Sequence, residues 1–467
     1  MEKLSILEVT EAINGKILGN FERLENKYIE SISIDSRKIE KNALFIPLHG
    51  ETINSHKFIV NAFLNGAIAT LTDEDVYQEK DKLYIKVEDT LKAMQDLASF
   101  YRQKFNIKVI GITGSVGKTS TKEMISCVLE SKYKVLKTKG NLNGQVGLPL
   151  TIFNLNSDFD IAVVEMGISM PNEMDRLSYI ARPNDAVLSN VGVTHIENFK
   201  TQQNILKEKL KVTNTLEKNS TLFINGDNEN LFGIKEKYQG KFNVLSFGMK
   251  NNADYVAKNI EIEGQNTNFD LIFNNGKKER FTIPVIGDHN VYNALSSIAV
   301  GLKYGLSIEE IKLALKNYKT LKMRQCIFDV NFEDKNITLI DDTYNANPDS
   351  MRSALEVLSL VGKERRKIAI LSDMLELGEY SSKLHFEIGE FAVSKDVDIL
   401  LTVGEEALNI SKGAEQNNKK TVLCHFKSNE DCFIYLKNIL KSSDIILAKG
   451  SRGMHLEEII NKLIKKD

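Results

Sequence analysis

The 467-residue chain has little of what marks several large protein classes. No stretch approaches the roughly 18 uninterrupted apolar residues that a membrane-spanning helix requires, so no membrane span is expected. The N-terminal MEKLSILEVTEAI scatters acids where a signal peptide needs its apolar segment, so export is not expected and the chain is placed in the cytoplasm. Lysine plus arginine total 61 against 63 acidic residues, a net charge of -2 that offers no attraction for a nucleic-acid backbone. Nucleic acid is therefore not an expected partner; small molecules are. The four cysteines, Cys127, Cys326, Cys424 and Cys432, contain no CxxC pair, which fits reduced thiols rather than a disulfide framework or a zinc site. Six prolines and the lack of repeats leave no proline-rich linker, and without a GxGxxG a dinucleotide cofactor is not indicated.

What is present is an ordinary globular composition, 42% apolar and 27% charged, in a chain long enough for about three cores. The first hundred residues mix short β-like runs (SISIDS, ALFIPL, AIATLTD) with the amphipathic VEDTLKAMQDLASFYRQKF, a helix leading out of a small α/β domain. Apolar strands then alternate with helix-length segments (IKVIGIT, KVLKT, DIAVVEMG, DAVLSNVG, STLFING), the pattern of a mostly parallel sheet covered by helices. A more β-like insert (YVAKNIEIEG, FDLIFNNG, ERFTIPVIG) precedes the helical DHNVYNALSSIAVGLKYG. Beyond it a new alternation begins (ITLIDD, KIAILSD, DILLTVG, DIILAKG). The fold class is α/β in three domains: 1–105, small and N-terminal; 106–316, central; 317–467, Rossmann-like.

Residues 111–120, GITGSVGKTS, stand between a strand and a helix. Glycines there let backbone N–H groups curl around phosphate oxygens while the helix N-terminus adds positive charge. Gly114, Ser115, Gly117 and Ser120 would shape that cradle, Lys118 reach the β and γ phosphates, and Thr119 ligate Mg2+. Position 112 is Ile, so the glycines depart from GxxxxGK[ST] and fall as GxxGxxGKT. Such a loop needs an acid for its metal, and IAVVEMG offers Glu165 at a strand end. His195 lies at another such end, where a satisfied structural histidine is the competing reading. In QQNILKEKLKVTN, helical spacing sets Lys209 beside Ile205, Leu206, Val212 and Thr213, and Lys207 and Lys211 with polar neighbours. An ammonium on the apolar face loses its proton easily, freeing an amine for chemistry.

GITGSVGKTST, VVEMGIS, NVGVTHIENF, GDHNVYNAL, IDDTYNANPDSM, DMLELG and KGSR occur in the order and spacing of the Mur ligases, and from about Ile34 onward the chain resembles that family. The last four motifs resemble the branch that adds D-alanyl-D-alanine. The tripeptide-forming branch typically carries an Asp-Asn-Pro-Arg segment that this chain lacks, and a folate-glutamate ligase is the other sibling reading. A P-loop regulatory ATPase is the reading from another class, and it leaves Lys209 unexplained.

The resemblance implies an ATP-dependent ligase in which the carboxylate of a UDP-N-acetylmuramoyl-tripeptide takes the γ-phosphoryl group of ATP and an amine then displaces phosphate. It implies two Mg2+ ions, one on Thr119 and Glu165, the other on His195 and a carbamate formed on Lys209. Asn290 and Asn293 would meet the adenine side, with helix capping the alternative for Asn290. Arg324, Asp342, Tyr344, Asn345 and Asn347 would reach ribose and phosphates, although adjacent acids at a strand end also make solvated turns. Met323 stands where relatives often have Gly, as does Ser372. Asp35, Ser36 and Arg37, with GETINSH, would hold the UDP end, a surface salt bridge being the alternative for Arg37. Ser55 replaces a usual Gly there. Lys449, Ser451 and Arg452, after a strand and opening a helix, would receive the carboxylate of the D-alanyl-D-alanine acceptor. A monomer is expected.

Overall fold

The computed structural model describes residues 1–18, 26–50, 52–231, 233–238, 240–250, 253–273, 276–416 and 420–464. Among them the strands form three large sheets and a two-stranded ladder near the N-terminus. The N-terminal sheet has five strands, four of them parallel (Ser31–Ser33, Ala43–Phe45, Ala67–Thr72, Leu83–Lys86), with Lys16–Leu18 antiparallel at one edge. Its parallel strands all release their chains at the same edge, so residues 35–37, His49, Asp73 and the start of helix Thr90–Gln103 gather there.

The central sheet has nine strands. Seven neighbouring strands are joined by parallel pairing, and the loop-bearing strand Lys108–Thr113 lies between Ile161–Glu165 and Asp185–Leu188. That inner position explains its composition: VIGIT is buried on both faces and needs no polar alternation. The β-like insert is not a separate body. Its strands Tyr255–Glu263, Asn266–Phe273 and Lys278–Ile283 extend the same sheet as a meander, and Phe269 stacks on Phe281 within the shared core. The third sheet has six strands, all parallel except the edge strand Cys326–Phe332. None of the helices of the described residues is long and apolar enough to cross a membrane.

Helix Thr90–Gln103 leads from the N-terminal sheet to strand Lys108–Thr113 and packs between the two sheets. Its Met94, Leu97, Ala98 and Tyr101 share one core with Leu148 and Ile152 of helix Gly147–Ile152 and Leu177 and Ile180 of helix Glu173–Ala181. Polar ties fix the contact: Ser99 Oγ donates to Tyr179 O at 2.8 Å, and Tyr101 Oη to Leu155 O at 2.6 Å. The buried Arg102 donates to the carbonyls of Ala181, Phe105 and Ile107 at 3.1, 2.9 and 3.1 Å. Burial pulls its guanidinium down to about 10.

Arg102→Met should therefore leave three carbonyls without a donor and destabilise the protein by about 2–4 kcal/mol. A lowered urea midpoint would record this; an unchanged midpoint would mean that water replaces the guanidinium without cost.

Candidate functional site: a phosphate-binding cleft between two sheets

The chain leaves strand Lys108–Thr113, turns through residues 114–117 and enters helix Lys118–Leu129. Gly114 has φ 153° and Gly117 φ 81°, and a Cβ at Gly114 would fall 2.0 Å from Ser189 Oγ. Only glycine fits such a turn. The exit of the neighbouring strand Asp185–Leu188 fixes the loop. Ser115 N donates to Asn190 O at 3.1 Å and Val116 N to Asn190 Oδ1 at 2.8 Å, while Ser189 Oγ donates to Val116 O at 2.7 Å. Ser115 Oγ in turn accepts from Gly192 N at 2.9 Å.

Two lysines converge on one carbonyl behind this loop. Lys118 Nζ donates to Gly114 O at 2.9 Å, and Lys209 Nζ donates to the same oxygen at 3.1 Å. Lys209 sits on helix Gln202–Leu210, 2% exposed, with Ile205 and Leu206 buried on its face. Lys207 is exposed, and Lys211 pairs with Asp175 at 2.6 Å. Burial, reinforced by the neighbouring Lys118 charge, holds the Lys209 amine well below the ordinary lysine value. Burial also lowers Lys118, against the pull of Glu165.

Glu165 ends its strand 2% exposed. Its Oε1 accepts from Asn143 Nδ2 at 2.7 Å, and its Oε2 is buried without a hydrogen-bond partner. An unpaired carboxylate oxygen in such a place suits a cation. Thr119, 6% exposed, stands one residue into the helix beyond the loop.

The cleft in front of the loop measures about 1090 Å³. Ser115, Gly117, Lys118, Thr119, Ser120, Glu165 and His195 open onto it from the central sheet, with Asn290 and Asn293 from helix Asp288–Lys303. Arg324, Asp342, Tyr344, Asn345, Asn347, Lys449 and Arg452 face them from the third sheet. Gly114, Lys209 and Ser451 do not line it, nor do Asp35, Ser36 and Arg37.

Asn290 does not cap its helix: the cap is Gly287, and Asn290 Nδ2 donates to Ile286 O at 3.0 Å and Gln325 Oε1 at 3.2 Å. Asn293 Nδ2 reaches Asn290 Oδ1 at 3.3 Å, and its own Oδ1 accepts from Thr121 Oγ1 at 2.8 Å, tying this helix to the loop helix. Arg324 lies 4.0 Å over the Tyr344 ring, between Met323 (φ 62°) and Gln325 (φ 54°). The position where relatives often have Gly is thus one where the backbone is left-handed. Asn347 caps helix Pro348–Val361, and its Nδ2 donates to Thr194 Oγ1 at 3.2 Å across the cleft.

His195, at φ 60°, brings Nδ1 to 2.5 Å from Glu376 Oε2, an ion-pair distance without hydrogen-bond alignment. The imidazole holds the Glu376 carboxyl below its ordinary value. Glu376 belongs to the DMLELG motif and is itself at φ 63°. Gly378 follows so closely that a Cβ there would meet Glu197 Cγ at 2.9 Å.

Four of the expected site residues already have protein partners. Lys449, 2% exposed, donates its Nζ to Asp342 Oδ2 at 2.6 Å and Asn345 O at 3.0 Å. The segment does not open directly into a helix: a 3-10 turn, Arg452–Met454, precedes Glu457–Ile464, and Arg452 pairs with Glu457 at 2.9 Å. Ser451 is a brace, its Oγ accepting from Leu375 N at 3.0 Å. Arg37 is an exposed salt bridge, its Nε and Nη2 each donating to the Asp35 carboxylate at 2.9 Å and holding it down to about 2. Ser36 is buried beside them, its carbonyl accepting from Asn65 Nδ2 at 2.7 Å. Glu51 of GETINSH lies outside the described residues.

Sequence reasoning also missed residues that shape the cleft: Asn143 on Glu165, Asn190 on the loop, and Asp227, which accepts from Tyr292 Oη at 2.9 Å. The turn-rich TKGNLNGQVG around Asn143 was the available signal.

Comparison with known proteins agrees along the whole length. Residues 28–102 match the Mur ligase family catalytic domain, 112–301 the Mur ligase middle domain, and 328–452 the Mur ligase glutamate ligase domain. The UDP-N-acetylmuramoyl-tripeptide--D-alanyl-D-alanine ligase of Bacillus subtilis (strain 168) is 34% identical over 100% of this chain and 99% of that protein. The protein of that name from Escherichia coli (strain K12) is 30% identical, with 99% of each covered. A crystal structure of MurF from Acinetobacter baumannii superposes with a TM-score of 0.91 at 29% identity, covering all of both chains. The Thermotoga maritima MurF ligase in complex with ADP gives 0.82 at 27% identity over 93% of this chain and 96% of that one. A lysine-bearing phosphate loop, a buried acid with a bare oxygen and a facing third sheet thus occur in a sequence that matches the family's domains in order, and the chain belongs to the Mur ligase family.

Proposed function

We propose that the protein joins D-alanyl-D-alanine to UDP-N-acetylmuramoyl-tripeptide at the expense of ATP, releasing ADP and phosphate, in peptidoglycan precursor synthesis. The observation that carries this reading is the two-sided cleft, with Lys118, Thr119 and Glu165 on one wall and Arg324 and Asp342 on the other. Full-length likeness to the D-alanyl-D-alanine ligases supports the choice among siblings. The division of labour follows: residues 1–105 receive the UDP end, 106–316 hold ATP, and 317–467 close over it.

In the reaction a carboxylate oxygen of the tripeptide attacks the γ-phosphorus, the bond to the β-γ bridging oxygen breaks, and ADP leaves. The dipeptide amine then adds to the acyl carbon, loses its proton, and expels phosphate as the amide forms. Such transfer needs alignment and charge compensation more than covalent help. Lys118, half-buried at the mouth of the helix, neutralises the moving phosphoryl group; loop N–H groups and the helix N-terminus hold the remaining oxygens. Asn290 and Asn293 take the adenine side, and Arg324, placed over the Tyr344 ring, the phosphates.

The donors present fit Mg2+: Thr119 Oγ1 and the bare Glu165 Oε2 are hard oxygens. When bound there, Mg2+ offsets the charge of the β and γ phosphates. A second Mg2+ would be held by His195 and by a carbamate on Lys209, formed when the neutral amine adds carbon dioxide and releases a proton. The depressed amine of Lys209 is the form that adds carbon dioxide, and doing so exchanges its hydrogen bond to Gly114 for a negative charge.

Purified protein given the UDP-linked tripeptide and ATP should release phosphate on addition of D-alanyl-D-alanine, with a product heavier by one dipeptide in mass spectrometry. Equal stimulation by lysine or diaminopimelate would move it to the sibling reaction.

Lys209→Ala should be nearly inactive and partly restored by formate or acetate, while Lys207→Ala keeps most activity. Full activity of Lys209→Ala would remove the carbamate from the account.

A further inference from the structure

At the edge of the N-terminal sheet where its parallel strands end, four side chains come together, of which only His56 belongs to a segment, GETINSH, that the ligase reading uses. His49 follows strand Ala43–Phe45, His56 lies in the 3-10 turn Ser55–Phe58, and Asp73 and Glu74 follow strand Ala67–Thr72. A backbone bridge between His49 and Asn54 folds the first segment onto itself and brings the imidazoles together, with ring centroids 4.9 Å apart. Each of the four residues offers a ligand atom within 4.8 Å of the others. None of them lines the nucleotide cleft.

The hydrogen-bond pattern fixes the protons. Asn54 Oδ1 accepts from the His56 backbone N–H at 3.0 Å, and Asn54 Nδ2 donates to Glu74 Oε1 at 2.6 Å, so the amide orientation is determined. The same Oδ1 lies 2.8 Å from His56 Nδ1, which must therefore carry a hydrogen. His56 Nε2 then points its lone pair at Asp73 Oδ1, 3.0 Å away. That nitrogen is buried and lacks any hydrogen-bond partner, on a side chain only 3% exposed. His49 Nε2 approaches the same carboxylate oxygen at 2.9 Å. In the neutral tautomer this sets acceptor against acceptor in a buried place, which is unfavourable unless a proton or a metal ion lies between them. The surroundings also look like a ligand support: Asn54 orients His56 through its other nitrogen, and Thr90 N holds Asp73 Oδ2 at 3.1 Å.

We propose that His49, His56, Asp73 and Glu74 form a binding site for a divalent transition-metal ion, with Zn2+ as its best occupant. Two imidazoles and two carboxylates suit zinc rather than Mg2+ or Ca2+, which take all-oxygen sets. Tetrahedral zinc with ligands at about 2.0–2.1 Å requires ligand atoms about 3.4 Å apart. Small rotations of the more exposed His49 and Glu74, with a slight widening of the 3.0 Å between His56 Nε2 and Asp73 Oδ1, supply that spacing.

The test is zinc binding to the full-length chain, stripped with chelator and kept in excess Mg2+ to occupy the nucleotide cleft. About one equivalent of Zn2+ should remain after equilibrium dialysis, and Co2+ in its place should give tetrahedral visible absorption without a thiolate charge-transfer band, setting the site apart from the cysteines. His49→Ala changes a half-exposed side chain and should leave the circular dichroism unchanged while weakening zinc at least about tenfold; Asp73→Asn should do the same. Zinc bound equally by the native chain and both variants, or no zinc retained by the native chain, overturns the proposal.

Discussion

The structure turns on the carbonyl of Gly114. The half-buried Lys118 and the buried Lys209 donate to it from different helices, and the Lys118 charge raises the cost of charging Lys209. A low-dielectric pocket cannot hold two neighbouring ammonium groups cheaply. One of them must find negative charge or give up its proton. The arrangement therefore favours a phosphate in front of Lys118 and a neutral, reactive amine at Lys209, and the glycine geometry that aims the carbonyl backwards serves both outcomes.

The third sheet completes the site through a few directed contacts. Asn347 reaches Thr194, Glu376 reaches His195, and a Cβ at Gly192 would fall 2.1 Å from Asp349 Oδ2. His195 and Glu376 both hold left-handed backbone conformations, which cost about 1–3 kcal/mol each for residues other than glycine. Strain of this kind persists where surrounding contacts over-determine it, and here those contacts join the two walls of the cleft. Lys449 with Asp342 adds a neutralised pair on the far wall, leaving Arg324 as the cation presented on an aromatic face.

Much of this was legible in the sequence, for identifiable reasons. The loop at 111–120 combines glycines with a strand before and a helix after, a pattern that few other structures need. Lys209 could be told from Lys207 and Lys211 because helical periodicity assigns faces without tertiary information, and the burial of its neighbours agrees. The parallel strands of the second and third sheets were visible as apolar runs. Short or edge strands were not: Lys16–Leu18, Leu83–Lys86, Cys326–Phe332 and Val422–Phe426 carry little periodic signal. Pairing across long separations was also hidden. Nothing local says that Lys449 meets Asp342, that Glu376 meets His195, that helix Thr90–Gln103 packs between two sheets, or that the β-like insert continues the central sheet.

The central claim is that Lys118 serves the transition state from a preformed loop rather than holding the fold together. Lys118→Ala compared with the native chain in thermal melting, ATP binding and acceptor-dependent turnover tests it most directly. The account predicts an unchanged melt, ATP still bound, and turnover lowered by more than about 100-fold. Retention of more than about a tenth of the native rate would contradict it.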